Sequence, residues 1–511
     1  MADLSIVEER STFMMFSITG EPYIKIARFL KPTAKTPKEA IAVPSHHLIK
    51  EPMNEKPSKS PSMTEYKGWR RPQHKWELWI SLMLPRHDST CQRFAVLDYI
   101  KASTCEIQRD PATILGLVES WCADTNAFVF EWGESTITLE DVLILGGFSV
   151  LGEFVNAPLS EEMGQIEKTI VKAHRGFNKM KSKKDSHGAW LNHFIGINGE
   201  LEHVAFLSLW LSRYVFPTHP VDTIGRNVFS IVVQLAKGTR IALGPAVLAN
   251  LYRGFSLMKR NMDNDAPNSV VWAPFQLLYK WAQKRFSPLR QESKPNTLSI
   301  VRRTLKSKKG FHWMPYKKMS VEDEELHLLV IYVRASKLVG LNCSKPYCPY
   351  RVAMQFRFDQ DLPSYVSDND CERTNEEINI NMPYQVFQPE VSMRYLQWWK
   401  RTVSDKRATI EEIMKQLMSS KEGDVRDESI AIGLVAPGFR STDKKRNLEE
   451  AWDRDDLNLK LKEHEVGPSK PFPIKNKEDE RASSMPQHER TRVKGAQPNC
   501  AIMVESLAYT S

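Results

Sequence analysis

Residues Trp121–Gly147, WCADTNAFVFEWGESTITLEDVLILGG, decide the reading of the fold. Phe128-Val129-Phe130-Glu131-Trp132 alternates bulky aromatics with smaller or polar residues. Gly133 follows, and then Thr136-Ile137-Thr138. This pattern predicts a short β-hairpin. Thr138 and Asp141 stand three apart, as in a capping box with Asp in place of Glu or Gln. They predict a short helix from Leu139 to Leu145, closed by Gly146-Gly147. Upstream, Asp110-Pro111 reads as an N-cap with Pro in the first helical position. Ile114, Leu115, Val118 and Trp121 would then form one apolar helical face.

The same punctuation continues outward. Val204, Leu207, Leu211 and Tyr214 share a face that Pro217 ends. Val228, Ile231, Val232 and Leu235 share another, with Gly238 just past the helix end. Pro245, Pro274 and Pro389 each open an apolar helical pattern. Lys50 to Ser62 brings Pro52, Pro57 and Pro61 among polar residues and reads as a linker. Residues 419–511 are rich in Lys, Glu, Asp, Ser and Pro, with little periodicity, and read as disordered. A helix over about 409–418 would close the body. The expected fold class is mainly α: a single large helical domain with short β-hairpins. Residues 1–74 form a partly ordered N-terminal segment and linker, 75–405 the domain, and 406–511 a mostly disordered charged tail.

Composition bounds the function. The 511 residues carry 71 basic and 62 acidic side chains, a net charge of +9. Residues 406–511 hold 19 of each sign, so the excess lies wholly in residues 1–405. This permits nucleic-acid contact without requiring it. Thirteen Trp supply large buried area for a core. Seven irregularly spaced Cys suit reduced thiols rather than a disulfide framework. No apolar run approaches membrane-spanning length, and the acidic N-terminus does not look like a signal peptide.

The Trp121–Val142 block resembles the signature of the plant mobile domain family. Its parts are Trp121, Cys122, Thr125, Asn126, Phe128, Phe130, Trp132, Gly133, Glu134, Thr138, Glu140 and Asp141. Further segments are similar to the same family. They are Trp210-Leu211-Ser212-Arg213-Tyr214-Val215-Phe216-Pro217, Leu235–Gly238, Leu243–Ala246, Tyr350–Phe356, Phe358–Pro363 and Val391–Lys400. Arg357 stands where the family pattern has Gly. The resemblance spans roughly residues 75–405, with weaker similarity towards the N-terminus. It implies a nuclear protein acting in transposable-element and gene silencing, genome stability, and meristem maintenance and development. It supplies no catalytic residues. The family is also called aminotransferase-like and includes the Maintenance of meristems proteins, domains carried by transposable elements, and members fused to a metallophosphatase.

The signature could present Glu134, Glu140 or Asp141 to a partner. Aromatic alternation and capping explain the same residues as a folding nucleus, the favoured reading. Two basic clusters are candidate phosphate contacts. One holds Lys172, Arg175, Lys179, Lys181, Lys183 and Lys184. The other holds Arg302, Arg303, Lys306, Lys308 and Lys309, with Trp313 and Tyr316 near enough in sequence to stack on bases. A solvated loop is the plainer reading of both. Cys343 and Cys348 lack the second ligand pair of a zinc site. Asp359 and Asp361 suit a loop salt-bridged to Arg357 better than a Mg²⁺ site.

No G-x-S-x-G elbow, Walker A loop or G-x-G-x-x-G occurs, nor the metal motifs of a metallophosphatase. The chain is therefore expected to be no enzyme, with no catalytic residues, cofactor or metal. Expected partners are nuclear proteins or chromatin, with nucleic acid through the basic loops, and no membrane. Lys444-Lys445-Arg446 could serve nuclear import. The alternative is a metal-dependent nuclease-like or other enzyme remnant of a transposable element.

Overall fold

A computed structural model describes residues 6–15, 21–41, 65–69, 71–93, 96–179, 186–220, 222–263, 270–290, 295–316, 323–365 and 389–402. All of them fall in one compact unit. The expected linker, the helix at 409–418, the charged tail and Lys444–Arg446 lie outside the described residues.

The chain opens with two strands, β1 (Val7–Met15) and β2 (Tyr23–Leu30), and a short β3 (Tyr66–Lys67). Three helices follow: α1 (Trp76–Arg93), α2 (Leu97–Ala102) and α3 (Pro111–Glu119). Then come β4 (Trp121–Cys122), β5 (Ala127–Phe130), β6 (Gly133–Ser135) and α4 (Leu139–Gly146). The helical bulk is α5 (Glu161–Lys179), α6 (His187–Phe194), α7 (Glu200–Trp210), α8 (Phe229–Ala236) and α9 (Leu243–Asp263). After β7 (Val271–Trp272) come α10 (Phe275–Arg285), α11 (Leu298–Lys306) and α12 (Asp323–Val333). The hairpin β8 (Ser336–Gly340) and β9 (Cys343–Tyr347), a 3-10 segment Pro349–Phe356 and β10 (Val391–Ser392) complete it, with residues 393–402 helical. The fold is mainly α with short, mostly antiparallel strand pairs.

Local chemistry sets most of these bounds. Asp110 caps α3 by accepting from the Thr113 amide at 3.0 Å, with Pro111 first in the helix. Lys237 ends α8, and Gly238 follows at φ +84°. Helix α7 is buried on every side from Glu202 to Trp210. A helix apolar all round belongs in the middle of a domain. Its buried Glu202 is satisfied by Trp79 Nε1 at 3.0 Å and by the amides of Gly196 and Asn198, both at 2.7 Å. Helix α9 runs through the core beside the signature, where Trp121, Phe128, Tyr252 and Phe255 meet with centroids 5.0–5.7 Å apart.

Five sequence expectations change. Helix α3 stops at Glu119, so Trp121 begins a strand instead of extending the helical face. Residues 136–138 lie past the hairpin, and β4 joins as its third strand in the order β4-β5-β6. Pro389 leads into β10 before helix begins at 393. The α7 pattern ends in a π turn, Leu211–Val215, before Pro217. Finally, the N-terminal residues are drawn into the body: β1 pairs with both β2 and β10.

Candidate functional site

The signature block is built around two buried carboxylates, each facing an arginine far away in sequence. Asp141 closes the capping box. Its Oδ2 accepts from the Thr138 amide at 2.8 Å and the Thr138 hydroxyl at 2.7 Å, while its own amide donates to Thr138 Oγ1. Its Oδ1 accepts from Arg285 Nη2 at 2.7 Å and the Tyr316 hydroxyl at 2.6 Å. Arg285 Nη1 also donates to the Trp313 carbonyl. Both Asp141 and Arg285 side chains are fully buried. Glu134 on β6 takes a forked pair of bonds from Arg351 at 2.9–3.1 Å, and this pair is buried too. Such forked charge-assisted bonds fix orientation as well as position.

Neutral groups finish the block. Gln355 brackets residue 136, its Oε1 accepting from the Thr136 amide and its Nε2 donating to the Thr136 carbonyl, both at 2.9 Å. Tyr252 donates to the Ile137 carbonyl at 2.7 Å. Asn126 turns the β4–β5 connection at φ +49°, and its Nδ2 donates to the Pro346 carbonyl at 3.2 Å. Asn tolerates that left-handed backbone better than most side chains. Thr125 is buried in the same turn. Trp121 Nε1 donates to Ser256 Oγ and Trp132 Nε1 to the Leu305 carbonyl. Phe130 stacks on Trp132 at 4.7 Å. Cys122 is buried with Val129, Leu362, Tyr395, Trp398 and Trp399, and burial pushes its thiol up. Gly147 ends α4 at φ +45°, where an added Cβ would meet the Tyr99 ring at 2.2 Å. Only glycine fits there.

Glu140 differs from its neighbours. It is half-buried in the first turn of α4 and forms no ion pair among the described residues. Burial, then the neighbouring Asp141, push its carboxyl up to about 7. The signature thus turns the carboxylates of Glu134 and Asp141 inward, while Glu140 stays partly exposed.

Of the first basic cluster, Lys179 ends α5, which packs on α7 and α8; Lys181, Lys183 and Lys184 lie outside the described residues. The second cluster sits on and just after α11, which packs on α3. Arg302 there is paired with Glu119 through bonds of 2.5 and 2.8 Å. Arg303, Lys306 and Lys309 are exposed. Lys308 is exposed as well, its ammonium 5.8 Å from the centre of the Trp313 ring. Tyr316 gives its hydroxyl to Asp141, and Trp313 packs edge-on against Phe311 and Trp132. Both rings are partly buried against the core.

Asp359 and Asp361 do lie in a salt-bridged loop, but not with Arg357. Asp359 meets Lys25 at 3.2 Å, and Asp361 meets Arg394 and Arg10. Arg357 is exposed at φ +67°, closing the 3-10 segment. Sequence reading missed Arg285, Arg351 and Gln355, each more than 140 residues from its partner. The available signal was that Arg351 and Gln355 stand four apart within Tyr350–Phe356. Among the described residues, no group of three or more His, Cys, Asp or Glu could hold a metal ion, and no helix is long and apolar enough to cross a membrane.

The sequence pattern of the plant mobile domain matches residues 95–400, from before α2 to the helical turn after β10. The chain belongs to the plant mobile domain family. Both carboxylate–arginine pairs lie within the matched plant mobile domain, whereas β1, β2 and α1 precede it. Two curated relatives come from Arabidopsis thaliana. A "Serine/threonine-protein phosphatase 7 long form homolog" is 28% identical over 193 residues, 35% of this chain and 14% of that protein. "Protein MAIN-LIKE 2" is 23% identical over 295 residues, 51% of this chain and 44% of that protein. The matches thus cover less than half of each relative's length. No solved structure matches the chain.

Proposed function

We propose that this plant mobile domain protein is a non-enzymatic nuclear binding protein. It acts in transposable-element and gene silencing, genome stability, and meristem maintenance and development, by holding protein or nucleic-acid partners. The observation that carries the reading is the inward commitment of two signature carboxylates. Glu134 is forked to Arg351, and Asp141 is shared by the cap, Arg285 and Tyr316. Catalytic acids and bases must reach a substrate, and these reach only one another. The carboxylates that would favour a metal-dependent enzyme remnant, Asp359 and Asp361, are likewise taken by Lys25, Arg10 and Arg394.

For nucleic acid, the exposed cations Arg303, Lys306 and Lys309 on and after α11 supply the contact. Binding of a duplex DNA is measured against salt for the full chain and for R303A/K306A/K309A. Loss of three phosphate contacts lowers the log–log salt slope by about 2–3. An unchanged slope removes this contact. Exclusion of the tagged chain from nuclei removes the nuclear reading, and metal-dependent cleavage of the DNA removes the non-enzymatic one.

A further inference from the structure

The hairpin β1–β2 has two unlike faces. Met14, Ala27 and Phe29 are buried on one. On the other, Phe13 lies directly opposite Ile24, with Ile26 two residues further along. These three are 52%, 62% and 70% exposed. Apart from Tyr23, the remaining exposed large apolar residues, such as Leu78, Phe154 and Ile197, are scattered away from this hairpin.

Among the described residues, the edge of β2 is open along the same stretch. The Lys31 amide bonds the Ile6 carbonyl, so in this register the bonds to β1 come from every second residue back from Lys31: Phe29, Ala27, Lys25 and Tyr23. The backbone groups of Ile24, Ile26 and Arg28 therefore point away from β1. Arg28 is already satisfied: its amide donates to Asp359 Oδ2 and its carbonyl accepts from the Asp359 amide. Ile24 and Ile26 have no such partner among the described residues. An apolar strand with unpaired edge groups is a template for another strand.

We propose that β2 pairs edge to edge, antiparallel, with β2 of a second copy, about a two-fold axis at Lys25. Three features make the strand complementary to itself. Each amide of Ile24 and Ile26 meets the carbonyl of the other residue across the axis, and the two side chains stack on one face. The pairing stops short of Arg28, where Asp359 already lies against the edge, and Pro22, which has no N–H, marks the other end of the paired stretch. The two Lys25 side chains face each other, but each already lies 3.2 Å from Asp359 and 3.3 Å from Glu390, which offset their repulsion. A contact confined to one hairpin is small, so the dimer dissociates in a micromolar range.

Sedimentation equilibrium of the full chain tests this, with I24K/I26K as the variant. The wild-type mass rises with concentration from 58.8 kDa towards twice that value. The exposed substitutions hold the variant at 58.8 kDa, with an unchanged thermal melt. In the wild type, hydrogen exchange at the Ile24 and Ile26 amides slows as concentration rises. A wild type that stays monomeric up to about 100 µM, a variant that dimerises equally, or amide protection independent of concentration overturns the proposal. The last result would mean that another segment of the same chain covers the edge.

Discussion

The signature block and the N-terminal sheet both rest on carboxylates facing cations, but they place those cations differently. Arg351 and Arg285 are 3% and 0% exposed, as deep as the acids they hold. Lys25, Arg10 and Arg394 are 18–27% exposed, reaching inward from the rim to Asp359 and Asp361. In the first arrangement, removing one partner strands a charge in the interior. In the second, water and salt reach the cation, and the acid keeps other bonds. Asp359 still accepts from the amides of Arg28 and Glu390. The same ion-pair chemistry therefore locks one region and only fastens the other.

The contrast is sharpest for Arg351→Met. It leaves Glu134 buried and unpaired, and chemical denaturation should show a loss of about 3–5 kcal/mol. Adding Glu134→Gln should restore much of it; a double variant no more stable than the single would break the comparison.

Glu140→Gln is next and is pH-dependent. A carboxyl raised from 4.5 to about 7 is protonated in both states below pH 4.5 and ionised only in the unfolded chain between the two values. The destabilisation therefore grows through that window and is complete above pH 7. The amide variant should match wild type near pH 4 and exceed it by roughly 1–3 kcal/mol at pH 8. Urea melts at the two pH values check this.

Lys25→Met should cost about 1 kcal/mol, and the difference from wild type should shrink in high salt, unlike that of Arg351→Met. Melts at low and high ionic strength separate the two. The smallest effect concerns backbone alone. Arg357→Gly relieves an L residue at φ +67° and should stabilise by about 1 kcal/mol, read as a higher thermal midpoint.

What the sequence made legible was local. The Thr138–Asp141 cap, the Phe128–Phe130 strand and the Asp110-Pro111 start depend on residues within a few positions, so their chemistry shows in a short window. Trp121 misled because its spacing continues the α3 stripe, while the chain turns at Ser120. The partners of Glu134 and Asp141 were hidden because nothing local distinguishes a buried, paired carboxylate from an exposed one. The N-terminal hairpin was equally hidden. Its inner face is completed by β10, whose Ser392 opposes Met14 from almost the other end of the domain.

The side chain of Gln355 has one more consequence. By bonding both polar backbone groups of Thr136, it stands in for a neighbouring strand just beyond β6. That small sheet thus finishes in an amide that cannot be extended. A chain cut before residue 349 would lose this stopper and leave the polar groups of Thr136 bare at the border, so shortened fragments should precipitate where the longer protein stays dispersed.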